Sequence, residues 1–305
     1  MTAMSEITYT PESRPLGKSG ILVSPIAWGM WRFGHAGVAG GRALIEAVFD
    51  AGVTLFDTAD IYGFDGFGGF GDAESLLGQI LAEAPQLRGR MVLATKGGIT
   101  PPVPYDSSAG YLTAALEASL RRMAVETVDL YQIHRPDILA HPHEVARALE
   151  DMVASGKVRA VGVSNYTLAQ HRALAAFLSV PLASTQPEFS PLELGPIENG
   201  LLDLAMETDL AVLAWSPLGG GRIGAPADDR ARAVGDALDV VATEAGVSRA
   251  AAAYGWIMAH PARVIPIVGT QNIARIAEIP DAYKCRWTRQ LWYDVLVASR
   301  GEKLP

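Results

Sequence analysis

The chain has 305 residues, 49% of them hydrophobic and 19% charged, with a mean hydropathy of +0.17, which supplies a large core and excludes disorder on composition. Its 33 acidic and 25 basic side chains give a formal charge of −8 and a pI near 5.3, the wrong sign for a surface that neutralises nucleic-acid phosphates. The lone cysteine, Cys285, excludes an internal disulfide and a cysteine-built metal cluster, and fits a reducing, cytoplasmic setting.

In chain order, Met1 to Pro15 is polar and turn-rich, and nowhere do about 18 apolar residues run together, so neither a secretion signal nor a membrane span is expected. Residues 1–14 are expected to form a flexible extension. Leu16 to Pro25, with Gly17 and Gly20, has a hairpin-like pattern suited to covering one end of a larger fold. Short apolar runs, the mark of buried parallel strands, then recur at Ile26 to Gly29, Val53 to Phe56, Met91 to Thr95, Val128 to Ile133, Arg159 to Val163, Pro181 to Thr185, Ala211 to Trp215 and Val264 to Val268. Helical patterns separate them, at Arg42 to Ala51, Asp72 to Glu83, Tyr111 to Met123, Pro142 to Ser155, Thr167 to Phe177, Asn199 to Thr208, Arg230 to Gly246 and Arg249 to His260. In the clearest, Val145, Ala148, Leu149, Met152 and Val153 form one apolar stripe, with Pro142 at the first turn and Gly156 placed for a left-handed cap. Thr288 to Arg300 reads as an additional C-terminal helix.

Eight strand-and-helix alternations with no linker or shift in composition predict a single α/β domain over 1–305, a closed (β/α)8 TIM barrel with an N-terminal β-hairpin and an extra C-terminal helix. Catalytic groups in such barrels come from the C-terminal ends of the strands. The polar residues that end the apolar runs are Asp57, Lys96, His134, Ser164 with Asn165, Gln186, Ser216, and Gly269 with Thr270. Singly each has a bland reading: a turn aspartate, a lysine reaching solvent, a hydrogen-bonded structural histidine. Jointly, and with Tyr62 in the loop after Asp57, they place an acid, a phenol, an ammonium and an imidazole around one mouth. That set suits carbonyl reduction. Lys96 would lower the pKa of the Tyr62 phenol, Asp57 would hold Lys96, and His134 would orient the carbonyl oxygen, with hydride from a cofactor because no side chain supplies one.

At these residues the sequence resembles the aldo-keto reductase family. The stretches that carry the resemblance are Leu16-Gly17-Lys18-Ser19-Gly20 with Val23-Ser24, Phe56-Asp57-Thr58-Ala59-Asp60-Ile61-Tyr62-Gly63, Thr95-Lys96, Ile133-His134-Arg135-Pro136-Asp137, Gly156-Lys157-Val158-Arg159, Gly162-Val163-Ser164-Asn165, Ala214-Trp215-Ser216-Pro217-Leu218, and Ile265 through Glu278. They span nearly the whole chain and are most similar to the bacterial branch of single-barrel reductases. The resemblance implies reversible reduction of an aldehyde or ketone with Tyr62 as general acid and Asp57, Lys96 and His134 completing a tetrad. It implies that Ser164, Asn165 and Gln186 hold the nicotinamide carboxamide, that Trp215 stacks on the ring, and that Ser216, Leu218 and Arg222 follow the pyrophosphate. Gly269, Thr270, Gln271, Arg275 and Glu278 would take the adenosine end, with Arg275 facing a 2′-phosphate. NADPH is therefore the expected cofactor and NADH its alternative. Ile279 stands where the family often has Asn, and Arg275 is the only strong cation near the 2′-phosphate position.

The loop Gly63 to Gly71 is rich in Gly and Phe and is expected to cover the substrate mouth, Phe64 and Phe67 joining Trp31 and Phe33 in a ring that suggests apolar or aromatic carbonyls. Against these readings stand four others. Gly219 to Gly224 satisfies G-x-G-x-x-G, but Pro226 follows at once and the motif is not on a first strand. Lys96 could act as a Schiff-base lysine in a lyase, and His134, His141 and His143 as metal ligands. A cofactor-binding regulatory subunit with little turnover is the non-enzymatic alternative. A small-molecule partner and a monomer are the default expectations.

Overall fold

A computed structural model describes residues 6–305. Eight parallel strands close into one barrel: β1 (Ala27–Gly29), β2 (Leu55–Asp57), β3 (Val92–Gly97), β4 (Val128–Ile133), β5 (Val158–Ser164), β6 (Leu182–Gln186), β7 (Ala211–Ala214) and β8 (Ile265–Val268). Each pairs in parallel with the next, and β8 returns to β1 through Ile267 and Val268 opposite Ala27 and Trp28. All eight coincide with the apolar runs of the sequence to within two residues.

The outer layer comprises α1 (Gly37–Asp50), α2 (Asp72–Glu83), α3 (Ala109–Met123), α4 (Pro142–Ala154), α5 (Leu168–Ala175), α6 (Leu201–Thr208), α7 (Asp229–Ala245) and α8 (Arg249–Met258), followed by the short α9 (Ile273–Ala277) and the C-terminal α10 (Arg289–Arg300). Helix α4 begins with Pro142 in its first turn and ends before Gly156 in the left-handed region, and buries Val145, Ala148, Leu149 and Met152. Helix α1 begins five residues before its expected start, through a glycine-rich turn. A Cβ on Gly41 would lie 2.7 Å from the Ile80 side chain and 3.0 Å from Phe33, so close packing on α2 explains a glycine that propensity alone counts against helix.

The predicted hairpin is present as Arg14–Pro15 paired with Leu22–Val23. Its Leu16, Ile21 and Val23 pack beneath Ala27, Leu55, Ala94, Leu130, Ala160, Leu213 and Ile265, closing the N-terminal end of the barrel with apolar side chains. Part of the expected flexible extension is instead fastened down. Glu6–Ile7 pairs antiparallel with Trp287–Thr288, and the Tyr9 hydroxyl donates to the carbonyls of Ala282 at 2.8 Å and Cys285 at 3.0 Å. Residues 1–5 of that extension lie outside the described residues. No helix among the described residues is long and apolar enough to cross a membrane.

Candidate active site

Alternation along the strands assembles the site. Side chains two apart share a face, so Leu55 and Asp57, Ala94 and Lys96, and Leu130, Gln132 and His134 form successive interior layers, apolar below and polar above. The middle layer is a hydrogen bond from Ser184 Oγ to Gln132 Oε1, 3.0 Å, and Gly162 makes room for it: a Cβ there would sit 2.1 Å from Ser184 Oγ.

Above it, Lys96 Nζ donates to Asp57 Oδ2 at 2.7 Å and to the Thr58 carbonyl at 2.8 Å, with Lys96 wholly buried. Asp57 Oδ1 accepts from Gln186 Nε2 at 2.9 Å and Gln132 Nε2 at 3.4 Å. Tyr62 lies over this pair, its ring centroid 4.9 Å from Lys96 Nζ and 5.8 Å from the His134 ring, while Trp31 stands edge-on to it at 5.1 Å. The four expected catalytic residues are therefore together.

Their electrostatics differ from expectation at one point. Burial raises the Tyr62 phenol above its ordinary pKa, with Lys96 drawing it down and Asp57 pushing it further up. Lys96 only moderates a rise it was expected to reverse. Burial by itself would lower the Lys96 ammonium, but Asp57 and then Tyr62 outweigh it and the net direction is up. Both groups thus hold their protons at neutral pH. Burial, followed by the charges of Lys96 and Arg135, holds His134 well below the ordinary histidine range, so it is a neutral imidazole. Its Nδ1 is buried without a partner.

The site opens into a cleft of about 1150 Å³ that runs from Tyr62 and His134 across the barrel mouth to α8 and α9. Ser164, Asn165, Gln186, Trp215, Ser216, Leu218, Gly269, Thr270, Gln271, Arg275 and Glu278 all line it, as the sequence suggested. Asn165 fixes its wall: Nδ2 donates to Ser164 Oγ at 2.8 Å and to the His134 carbonyl at 3.2 Å, while Oδ1 accepts from Trp215 Nε1 at 3.0 Å. Asn165 and Ser216 have φ of 59° and 50°, left-handed conformations of the kind that concentrate at functional strand ends.

Four expected residues lie elsewhere. Arg222 does not line the cleft; its Nε turns back onto the Gly219 carbonyl at 2.9 Å within its own loop. Phe33 is fully buried in the core, because a 3-10 turn over Phe33–His35 rotates it onto Trp28, ring centroids 5.5 Å apart. Phe64 and Phe67 border a separate groove beside α3. The Gly63 to Gly71 loop curls on itself instead of over the mouth, since the Asp65 carboxylate accepts from the amides of Phe67 and Gly68, each at 2.9 Å. Only Trp31 of the expected aromatic ring remains, and Arg32 and Arg135 join it, so the mouth is more polar than expected.

Sequence reasoning passed over Arg135, Ser248, Tyr254 and Asn272, which also line the cleft. Arg135 had a visible signal, since it directly follows His134, and its guanidinium stands 5.7 Å from the Trp215 ring centroid. Ser248 is the N-cap of α8, accepting from the Ala251 amide, and the start of that helix turns its free N–H groups toward the cleft lining. A dinucleotide fits this lining on three observations. Both amide atoms of Gln271 are buried and unpaired, the Arg275 guanidinium forms no ion pair among the described residues, and the α8 N-terminus offers an anion subsite.

The sequence model of the Aldo/keto reductase family matches residues 25–294. A protein of Novosphingobium aromaticivorans named 6-dehydroglucose reductase is 60% identical over 304 residues, 99% of this chain and all of its own. One of the same name from Agrobacterium fabrum is 38% identical over 92% of this chain and 96% of its own. Among solved structures, a glycerol dehydrogenase from Gluconobacter oxydans superposes with a TM-score of 0.82 at 26% identity, covering 97% of this chain and 98% of its own.

Proposed function

From its membership in the aldo/keto reductase family, to which this chain belongs as an oxidoreductase, we propose that it reduces the aldehyde of a 6-dehydro sugar to the alcohol, with NADPH as hydride donor and Tyr62 as proton donor. The observation that carries this reading is the stack of a wholly buried Lys96–Asp57 pair under a protonated Tyr62 that faces a neutral His134. When bound, the nicotinamide supplies hydride to the carbonyl carbon. The Tyr62 O–H supplies the proton that the carbonyl oxygen acquires, and the Lys96 ammonium stabilises the phenolate left behind. A neutral His134 presents one N–H to that oxygen as negative charge develops. Asp57 favours the charged form of Lys96 in a site where burial by itself lowers its pKa.

The substrate class rests on the 60% identical relative named 6-dehydroglucose reductase and on the polarity of the mouth. Trp31, 59% exposed, offers a face for the C–H side of a sugar ring, and Arg32 and Arg135 offer donors for its hydroxyls. The Schiff-base reading of Lys96 is disfavoured, because its nitrogen is protonated, wholly buried and already engaged with Asp57 and Thr58.

Titration with NADPH and NADH, followed by tryptophan fluorescence, tests the cofactor. Saturable quenching with at least tenfold tighter binding of NADPH is expected, and Arg275→Ala should remove most of that preference, about 1 to 3 kcal/mol for a charged hydrogen bond. Equal affinities would overturn the NADPH preference, and tighter binding of NADH would assign NADH. A panel of 6-dehydroglucose against simple aromatic aldehydes tests the substrate; higher kcat/KM for the aromatics would overturn it.

A further inference from the structure

Three residues beyond Asp57, the Asp60 carboxyl is 1% exposed and neither oxygen has a hydrogen-bond partner among the described residues. The ionisable groups that act on it are one acid, Glu74, and two bases, Arg122 and Lys96, each of which is already engaged. Glu74, wholly buried, accepts from the Thr95 hydroxyl at 2.5 Å and from Arg122 Nε at 2.8 Å, so Arg122 is engaged by Glu74. Lys96, the next nearest cation, is engaged by Asp57. Asp60 is thus left without a counterion. Burial, then the Glu74 charge, push its carboxyl well above the usual range, which marks the cost of ionising it unpaired.

Asp60 contributes to the lining of the groove of about 740 Å³ between the Gly63 to Gly71 loop and α3, and this groove shares no lining residue with the catalytic cleft. Its other walls are mainly apolar: Phe64, Phe67, Phe70 and Tyr111 bring four aromatic rings and α3 adds alanines, Ala118 among them, while Arg122, its charge answered by Glu74, also lines it with its guanidinium 5.8 Å from the Phe70 ring centroid. An apolar trough with one buried, unpaired carboxyl resembles a binding pocket more than a packing defect, since native structures seldom leave both oxygens of a buried carboxyl unanswered.

We propose that this groove binds a small organic cation, an alkyl- or arylammonium, whose N–H groups donate to the Asp60 carboxylate while its apolar body lies among the four rings. An ammonium brings both the missing charge and donors for two oxygens, and aromatic faces attract cations. A neutral molecule of the same shape fills the walls but leaves the acid without a counterion.

Calorimetric titration of the full chain with benzylammonium chloride, and separately with benzyl alcohol, tests this. The wild type should bind benzylammonium saturably at one site, at least tenfold tighter than benzyl alcohol, and saturating NADPH should leave that affinity within twofold. Asp60→Asn removes the carboxylate without changing its shape, and Ala118→Trp fills the trough from a different element; each should weaken benzylammonium at least tenfold. The proposal is overturned by absence of saturable binding to the wild type, by equal affinity for the alcohol, by undiminished affinity in both variants, or by displacement with NADPH.

Discussion

The two ends of the barrel treat buried polarity in opposite ways. At the N-terminal end, Asp129 is buried on the outer face of β4 and fully answered: Arg88 donates at 3.0 Å, Arg159 at 2.6 Å and the Leu93 amide at 2.9 Å. The lumen there is sealed by Leu16, Ile21 and Val23. At the C-terminal end the lumen is polar, and buried atoms of His134 and Gln271 have no partner. Arg14 Nη2, in the sealing hairpin, is also buried without a partner among the described residues, so the contrast lies in the lumen. Its open end carries unpaired polar atoms where a ligand is expected, whereas its other end is filled by apolar side chains that serve stability. Variants at the two ends should therefore separate turnover from folding.

The largest effect is expected at Tyr62. Tyr62→Phe removes the proton donor and leaves the ring, so kcat should fall about 10²- to 10⁴-fold, the range for general acids, with nucleotide affinity unchanged. Retained turnover would discard the proposed chemistry. The pH dependence has a definite sign. Reduction needs the protonated phenol, and burial raises its pKa, so kcat for reduction should stay level through neutral pH and decline only above the ordinary tyrosine range, near pH 10. A decline centred below pH 8 would show that Lys96 dominates over burial.

Lys96→Met should damage both properties at once. It leaves Asp57 buried and unpaired, a loss of about 3 to 5 kcal/mol in stability for one broken buried pair, and it removes the cation that stabilises the Tyr62 phenolate. Thermal unfolding and single-turnover reduction should both report it. Leu16→Ala, at the sealed end, should cost about 2 to 5 kcal/mol of stability as a cavity while kcat stays within twofold. A large kcat loss in the folded Leu16 variant would break the separation of the two ends.

The sealed end was the more legible from sequence, and the reason is physical. Strand runs such as Val128 to Ile133 are written in local apolar order, and period-two alternation then dictates that Asp57, Lys96 and His134 share one rim. Asp57, Lys96 and His134 were legible because they lie on or directly after strand ends, and Tyr62, in the loop after Asp57, was legible through the resemblance of its surrounding motif. What failed sits on loops and turns. Phe33 points into the core because of one 3-10 turn, and Arg222 is held by its own loop carbonyl. Composition says only that such segments are aromatic or charged, and their direction is set by a few backbone hydrogen bonds between residues two or three apart. The same reason hides Arg135, whose position over Trp215 joins the ends of two strands far apart in sequence.

The smallest expected effect is the most discriminating for the mouth itself. Phe67 is wholly exposed and Phe64 packs edge-on against Phe70, ring centroids 6.4 Å apart, with both bordering the α3 groove and neither bordering the catalytic cleft. Phe64→Ala and Phe67→Ala should therefore leave kcat/KM for carbonyl reduction within twofold for every substrate tested, while Trp31→Ala, which strips the ring standing against Tyr62, should lower it. The comparison needs only steady-state rates on two aldehydes of different polarity. If either phenylalanine variant changes the ratio of the two rates, the loop closes over the mouth during turnover, and the open end of the barrel extends further than the cleft that Trp31, Arg32 and Arg135 border.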